Sequence, residues 1–250
     1  MGDKEITKFD EKQKKIKILK SNIENEDDKT TNVDNLDSNI EKEIDILLEN
    51  NKKWVSERIK ENHLYFKRLA YEEKPTFLWI GCSDSRVPPE KIVKLPPGKL
   101  YVHRNIANVI IYSDSNALSV IHYAVSVLKI RNIIICGHYN CGGVKAAMSN
   151  GSFGTLDKWL RTVKDVYQHN HEEVSNITDY DLKVNRMVEL NVMEQVKNVA
   201  KSSIIQSEWK TNSSPFIHGW VYDISTGLVK TLITIEPNQF ILDDIYTFKF

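Results

Sequence analysis

Apolar residues are sparse through residues 1–41, then return with a helical period, and further on gather into short β-rich runs. From Ile44 the positions Ile44, Leu47, Leu48, Val55, Ile59, Phe66 and Leu69 follow the i, i+3, i+4 rhythm of a helix face, and Asn50-Asn51 predicts a break between two helices. Pro75 ends that rhythm. Thr76-Phe77-Leu78-Trp79-Ile80 then reads as a buried strand stopping at Gly81. Pro88-Pro89 and Pro96-Pro97-Gly98 frame a connection to a second strand, Lys99 to His103. Asp114 or Ser115 can cap a helix through Leu118, Ile121, His122, Val125 and Leu128, and Asn132 to Cys136 is a third strand that breaks at Gly137. Leu182, Met187, Leu190, Val192, Met193, Val196 and Val199 form one long amphipathic pattern within a helical region from Leu156 to about Ser203. Pro215 to Tyr222 is a fourth strand, and Ser225-Thr226-Gly227 turns the chain into a fifth, Leu228 to Ile235, pairing antiparallel at an edge.

Strands with little alternation, separated by helices, indicate an α/β fold. The expected core is a mostly parallel central sheet of four strands plus an antiparallel edge strand, flanked by helices. Ligands in such sheets bind at the carboxyl ends of the strands. Residues 1–41 are dense in Asn, Asp, Glu and Lys and hold one aromatic, Phe9, so they are expected to be a disordered extension. Residues 42–250 are expected to be the catalytic domain.

Composition narrows the function by exclusion. With 34 basic and 34 acidic residues in 250, the formal charge is +0, which argues against a surface built for nucleic acid or anionic membranes. The apolar runs, such as Ile133 to Cys136, are too short to span a bilayer. Gly2 does not make a myristoylation signal, because Ile6 stands where Ser or Thr is needed. Cys82, Cys136 and Cys141 are too few and odd in number for a disulfide framework, and read as reduced thiols of a cytoplasmic protein.

Two segments carry chemistry, each placed where an apolar run stops: Cys82-Ser83-Asp84-Ser85-Arg86 and Gly137-His138-Tyr139-Asn140-Cys141-Gly142-Gly143. Two thiolates and an imidazole suit zinc, and three protein ligands leave a tetrahedral ion one open position, the mark of a catalytic site. Cys136 lies within its strand and reads as a packed thiol. Asp84 and Arg86 follow Cys82 closely enough to reach the open side of the ion, where the carboxylate can accept a hydrogen bond and the guanidinium can clamp it.

These motifs closely resemble the β-class carbonic anhydrases. The family's C-x-D-x-R stands as Cys82 to Arg86, its H-x-x-C-G-G as His138 to Gly143, and its H-R-N as His103-Arg104-Asn105, over a likeness running from about residue 42 to Ile235. The resemblance implies one zinc per chain on Cys82, His138 and Cys141, and reversible hydration of carbon dioxide to bicarbonate and a proton by zinc-bound hydroxide. Asp84 would orient the hydroxide and Arg86 would orient Asp84. It further implies homodimers or dimers of dimers, with N-terminal helices wrapping the partner subunit. Members inhibited by bicarbonate carry a Trp, an Arg and a Tyr in a pocket near the metal, matched here by Trp79, Arg104 and Tyr222. Bicarbonate there, and low pH, would favour a closed state with Asp84 on zinc. Two other readings stay open at this stage: a carbon disulfide or carbonyl sulfide hydrolase on the same scaffold, and a non-catalytic zinc-binding interaction module.

Overall fold

The structure, a computed structural model, describes residues 33–71, 74–237, 239 and 242–250. The chain divides into two units after Lys67. In the first, a single helix, α1 (Val33–Glu61), passes through Asn50-Asn51 without the predicted break. Asparagine costs only about 0.7 kcal/mol in a helix relative to alanine, and the helix-forming residues on either side outweigh the pair. This helix also begins inside the stretch expected to be disordered; residues 1–32 lie outside the described residues. Its apolar stripe is open to solvent, with Ile44, Leu47, Leu48 and Ile59 at 53%, 63%, 58% and 46% exposure. Trp54 meets Tyr65 and Phe66 edge-on, with ring centroids 6.4 and 5.3 Å apart, and this aromatic cluster closes the turn into α2 (Tyr65–Tyr71).

The second unit is built on five strands, β1 (Phe77–Cys82), β2 (Leu100–Asn105), β3 (Asn132–His138), β4 (Phe216–Asp223) and β5 (Leu228–Ile235), in the order β2-β1-β3-β4-β5. The first four run parallel and β5 is antiparallel to β4, so the expected sheet is the observed one. β1 and β3, the most continuously apolar runs, lie at the centre and are buried on both faces. β5, which leaves half of its residues exposed, takes the edge.

Connections between parallel strands carry the helices. A short α3 (Pro89–Ile92) joins β1 to β2. Next, α4 (Ser115–His122) is capped by Asp114, whose carboxylate accepts from the Asn116 N–H at 3.0 Å. The sequence predicts one helix to Leu128, but α4 stops at His122 and the chain widens into a π-helical turn, Tyr123–Val127. Between β3 and β4 come α5 (Gly142–Ala147), α6 (Leu156–His169), α7 (His171–Ser175), α8 (Tyr180–Ala200) and α9 (Ser203–Thr211). The long apolar pattern is the buried face of α8, where Met187, Val192, Val196 and Val199 are 0% exposed, except for Leu182 in the first turn, which stands out at 62%. Burying each such side chain stabilises the fold by about 1.5–3 kcal/mol. Close approach of α8 to the sheet needs Gly137, because a Cβ there would stand 2.6 Å from Val192 Cγ2.

Two strand ends differ from expectation in a way that matters for the site. β1 continues to Cys82 and β3 to His138, because the ladder goes on through the pairs Cys82↔Asn105 and His138↔Tyr222. Both residues are therefore the last rungs of paired strands rather than the first residues of loops.

Candidate metal centre

Cys82 and His138 end adjacent parallel strands, so the sheet itself sets their spacing. Cys141 is the N-cap of α5, brought back toward them by Asn140, whose φ of 60° reverses the chain in the left-handed region. The two Sγ atoms stand 3.9 Å apart, and the donor atoms of Cys82, His138 and Cys141 all lie within 4.8 Å of one another. All three side chains are buried, at 5%, 0% and 1% exposure.

The electrostatics of this cluster call for a cation. The Cys82 and Cys141 sulfurs stand in hydrogen-bond contact, which together with the Asp84 and Ala107 backbone N–H groups holds Cys82 far below the ordinary thiol range. That same contact and burial push Cys141 up. His138 Nδ1 stands 3.0 Å from the Tyr139 carbonyl oxygen. A carbonyl only accepts, so Nδ1 carries the hydrogen and Nε2 presents a lone pair. Nε2 is buried and meets no hydrogen-bond partner among the described residues. A dication at this point would bind both sulfurs as thiolates together with the Nε2 lone pair, and the soft donor set is that of zinc.

Asp84 faces the same point from the segment following β1. Arg86 grips it through Nε to Oδ1 at 2.9 Å and Nη2 to Oδ2 at 2.6 Å, with the Arg86 backbone N–H on Oδ1 at 2.9 Å. The guanidinium holds the carboxyl well below the usual carboxylate range. Oδ2 is 3.8 Å from His138 Nε2, so the ionised oxygen looks onto the open side of the metal position.

Trp79, Arg104 and Tyr222, the residues expected to form an anion pocket, stand on one face of the same sheet. Trp79 is 0% exposed and its Nε1–H has no hydrogen-bond partner among the described residues. It lies over Gly81, where a Cβ would come within 2.5 Å of Nε1. Tyr222 packs on the Trp79, Ile134 and Cys136 cluster. Arg104, paired in register with Gly81, donates through Nε to the Cys82 carbonyl at 2.8 Å and through Nη2 to the Asp84 carbonyl at 2.5 Å. Cys136 is 0% exposed and its thiol donates to the Gly137 carbonyl at 3.3 Å, the packed thiol that its strand position implies.

Sequence reasoning missed Gly81, Tyr139 and Glu189. Gly81 had a readable signal, since it stands two residues after Trp79 and hence on the same strand face. Glu189 is a charge within the apolar stripe of α8, 8% exposed, accepting from the Tyr139 hydroxyl at 2.6 Å. Among the described residues no helix is long and apolar enough to cross a membrane.

The family model described as carbonic anhydrase matches residues 77–229, a span holding every residue of both clusters. A carbonic anhydrase of Emericella nidulans is 44% identical over 201 residues, 80% of this chain and 87% of that protein. Among solved structures, a tetrameric β-carbonic anhydrase of Sordaria macrospora matches at a TM-score of 0.74 and 37% identity, covering 78% of this chain and 99% of that one. The Coccomyxa β-carbonic anhydrase in complex with acetazolamide matches at a TM-score of 0.72 and 39% identity, covering 76% and 86%.

Proposed function

The chain belongs to the β-class carbonic anhydrases, zinc enzymes of carbon dioxide hydration, and on that premise we propose that Cys82, His138 and Cys141 hold the zinc while Asp84 and Arg86 govern its open side. The observation that carries this reading is the convergence of three buried donor atoms within 4.8 Å around an unpartnered Nε2. Zinc, when bound, supplies a Lewis acid that lowers the pKa of water toward ~7, less so beside two thiolates than beside neutral imidazoles. Asp84 accepts a hydrogen bond from the attacking oxygen and so aims a lone pair at the carbon of the substrate. Arg86 keeps that carboxylate ionised and in place through its paired bonds. His138 keeps its Nε2 turned to the metal because Nδ1 is engaged by the Tyr139 carbonyl. Stopped-flow hydration on metal-analysed protein tests the assignment: protein with about one zinc per chain that fails to hydrate carbon dioxide at about pH 8.5 would overturn it.

A second part of the proposal is inhibition by bicarbonate at Trp79, Arg104 and Tyr222. It is supported by the buried indole N–H without an acceptor and by a guanidinium on the neighbouring strand. Arg104 holds the carbonyls of Cys82 and Asp84. An anion competing for that guanidinium would loosen the segment, free Asp84 from Arg86 and let it turn onto the open side of the metal position. Low pH works in the same direction, because a protonated occupant of that position is easier to displace.

Homodimers or dimers of dimers, in the cytoplasm, complete the proposal. Its support is the solvent-exposed apolar stripe of α1 and the tetrameric Sordaria macrospora relative. A sedimentation mass of a single chain would sink it.

A further inference from the structure

The peptide joining Tyr139 to Asn140 follows directly on His138 and is gripped from several sides. Its carbonyl accepts from His138 Nδ1 at 3.0 Å, and its N–H donates to Asn185 Oδ1 at 3.2 Å. On one side of it, the Tyr139 N–H is tied to the Tyr222 carbonyl at 3.0 Å. The Tyr139 side chain reaches α8 again, four residues beyond Asn185, where its hydroxyl donates to Glu189 Oε1 at 2.6 Å. Positions i and i+4 share one helix face, so Asn185 and Glu189 meet the loop together.

Glu189 is itself held on both oxygens. Lys230 on β5 donates to Oε1 at 2.9 Å and Arg186 donates to Oε2 at 2.8 Å, while Arg186 also binds Glu173 at 2.5 Å. Burial pushes the Glu189 carboxyl up, but donation from Tyr139, Lys230 and Arg186 outweighs it and keeps the group below its usual range. Buried ionic groups with this many partners are costly to assemble and expensive to break. The fold does not need this one to close its sheet, since β4 and β5 pair through their own ladder.

We propose that Glu189 is a positioning residue of the metal centre: through the Tyr139 ring it fixes the peptide that sets the ring orientation and tautomer of His138. The inference rests on the reading of His138 as a zinc ligand. Groups that orient a metal-bound histidine from behind commonly change metal affinity by about 10–100-fold when removed. Tyr139 touches no reacting atom and acts through a carbonyl, so its hydroxyl is the cleanest point to cut.

The experiment measures zinc affinity by chelator competition, and the visible spectrum of the cobalt-substituted protein, for Tyr139→Phe, Glu189→Gln and His138→Ala. Tyr139→Phe is expected to bind zinc about tenfold or more weakly and to shift the cobalt bands, a loss of affinity in the folded protein beyond any drop in the melting temperature of the zinc-free protein. Glu189→Gln, which keeps an acceptor but loses the charge that holds it between Lys230 and Arg186, is expected to fall between Tyr139→Phe and the parent. A merely structural role would lower the melting temperature of the zinc-free protein and leave the affinity of its folded fraction at the parental value, and that outcome overturns the proposal. If His138→Ala keeps parental zinc affinity, the ligand reading itself has failed. If His138→Ala loses zinc while Tyr139→Phe matches the parent, only the role of Glu189 has failed.

Discussion

At the metal centre the unsatisfied atom among the described residues is an acceptor, the lone pair of His138 Nε2, with two sulfurs 3.9 Å from each other beside it and the Asp84 carboxylate 3.8 Å away. On the Trp79 face of the same strands the unsatisfied atom is a donor, an indole N–H at 0% exposure beside Gly81. Burying a polar group without a partner costs about 1–3 kcal/mol, so each vacancy has a sign that a ligand can meet: a cation in the first region, an anion in the second. Arg104 joins them, because it stands beside Gly81 in register yet donates to the carbonyls of Cys82 and Asp84. A single strand, β1, thus carries the proposed cation site at its tip and the proposed anion site on its face, with the Arg104 guanidinium standing between them.

The largest effect expected from breaking this comparison comes at the tip. Cys82→Ser replaces a thiolate by a poor zinc ligand, and hydration should fall by about a thousandfold or more with zinc lost on dialysis. Trp79→Phe should keep its zinc under the same dialysis, as measured by atomic absorption. Loss of zinc in both variants would mean that the regions are one site. Next in size is Asp84→Asn, which keeps the shape but offers an amide N–H where an acceptor is needed. Its zinc should stay and its hydration rate should drop about a hundredfold in stopped flow. A near-parental rate would remove Asp84 from the mechanism.

A smaller effect sharpens the anion side. Arg104→Ala and Trp79→Phe each remove a donor to bicarbonate, and the bicarbonate concentration that halves the initial hydration rate should rise about tenfold in each. Arg104→Ala should lower the uninhibited rate as well, since it also frees the Cys82 and Asp84 carbonyls. Unchanged inhibition in both variants ends the pocket proposal. Arg104→Lys is not a conservative control here, because one ammonium cannot reproduce two donors in the fixed geometry of a guanidinium.

How far these regions were legible in the sequence follows from what each residue needs in order to act. Cys82, Asp84, Arg86, His138 and Cys141 are chemistry-bearing types at the ends of apolar runs, so strand order alone brings them to one edge. The parallel sheet was legible for the same reason, since β1 and β3 are continuously apolar, while the Ser225-Thr226-Gly227 turn marked β5 as the antiparallel edge strand. Strand ends were not, because Cys82 and His138 are carried into the ladder by Asn105 and Tyr222 on other strands. Glu189 and Tyr139 were missed because their roles exist only once α8 meets the β3–α5 loop. A carboxylate amid Val188, Leu190 and Val192 was the available sign, and a burial pattern that tolerates a charge marks a partner elsewhere. Asn50-Asn51 misled in the opposite direction, since a weak local preference was read as a break in a helix whose neighbours carry it through.

The smallest expected effect concerns pH and separates two explanations for any loss of activity in mild acid. Arg86 holds the Asp84 carboxyl below its usual range in the folded protein. A depressed carboxylate stabilises the folded state fully above its unfolded value, near ~3.9, and that contribution fades only as pH falls further toward the folded value. Between about pH 8 and 5.5 the Asp84–Arg86 pair therefore stays ionised, and its share of stability does not change. That share is itself small, because the Arg86 side chain is 49% exposed and solvent screens the pair. The difference in melting temperature between the parent and Asp84→Asn should accordingly be flat over that range and narrow only below about pH 4. Activity that falls between about pH 8 and 6 while this difference stays flat assigns the titration to the metal-side occupant or to the anion pocket. A difference that shrinks in step with activity would instead place the proton on Asp84, and would show that Arg86 does not hold the carboxylate as tightly as its paired hydrogen bonds require.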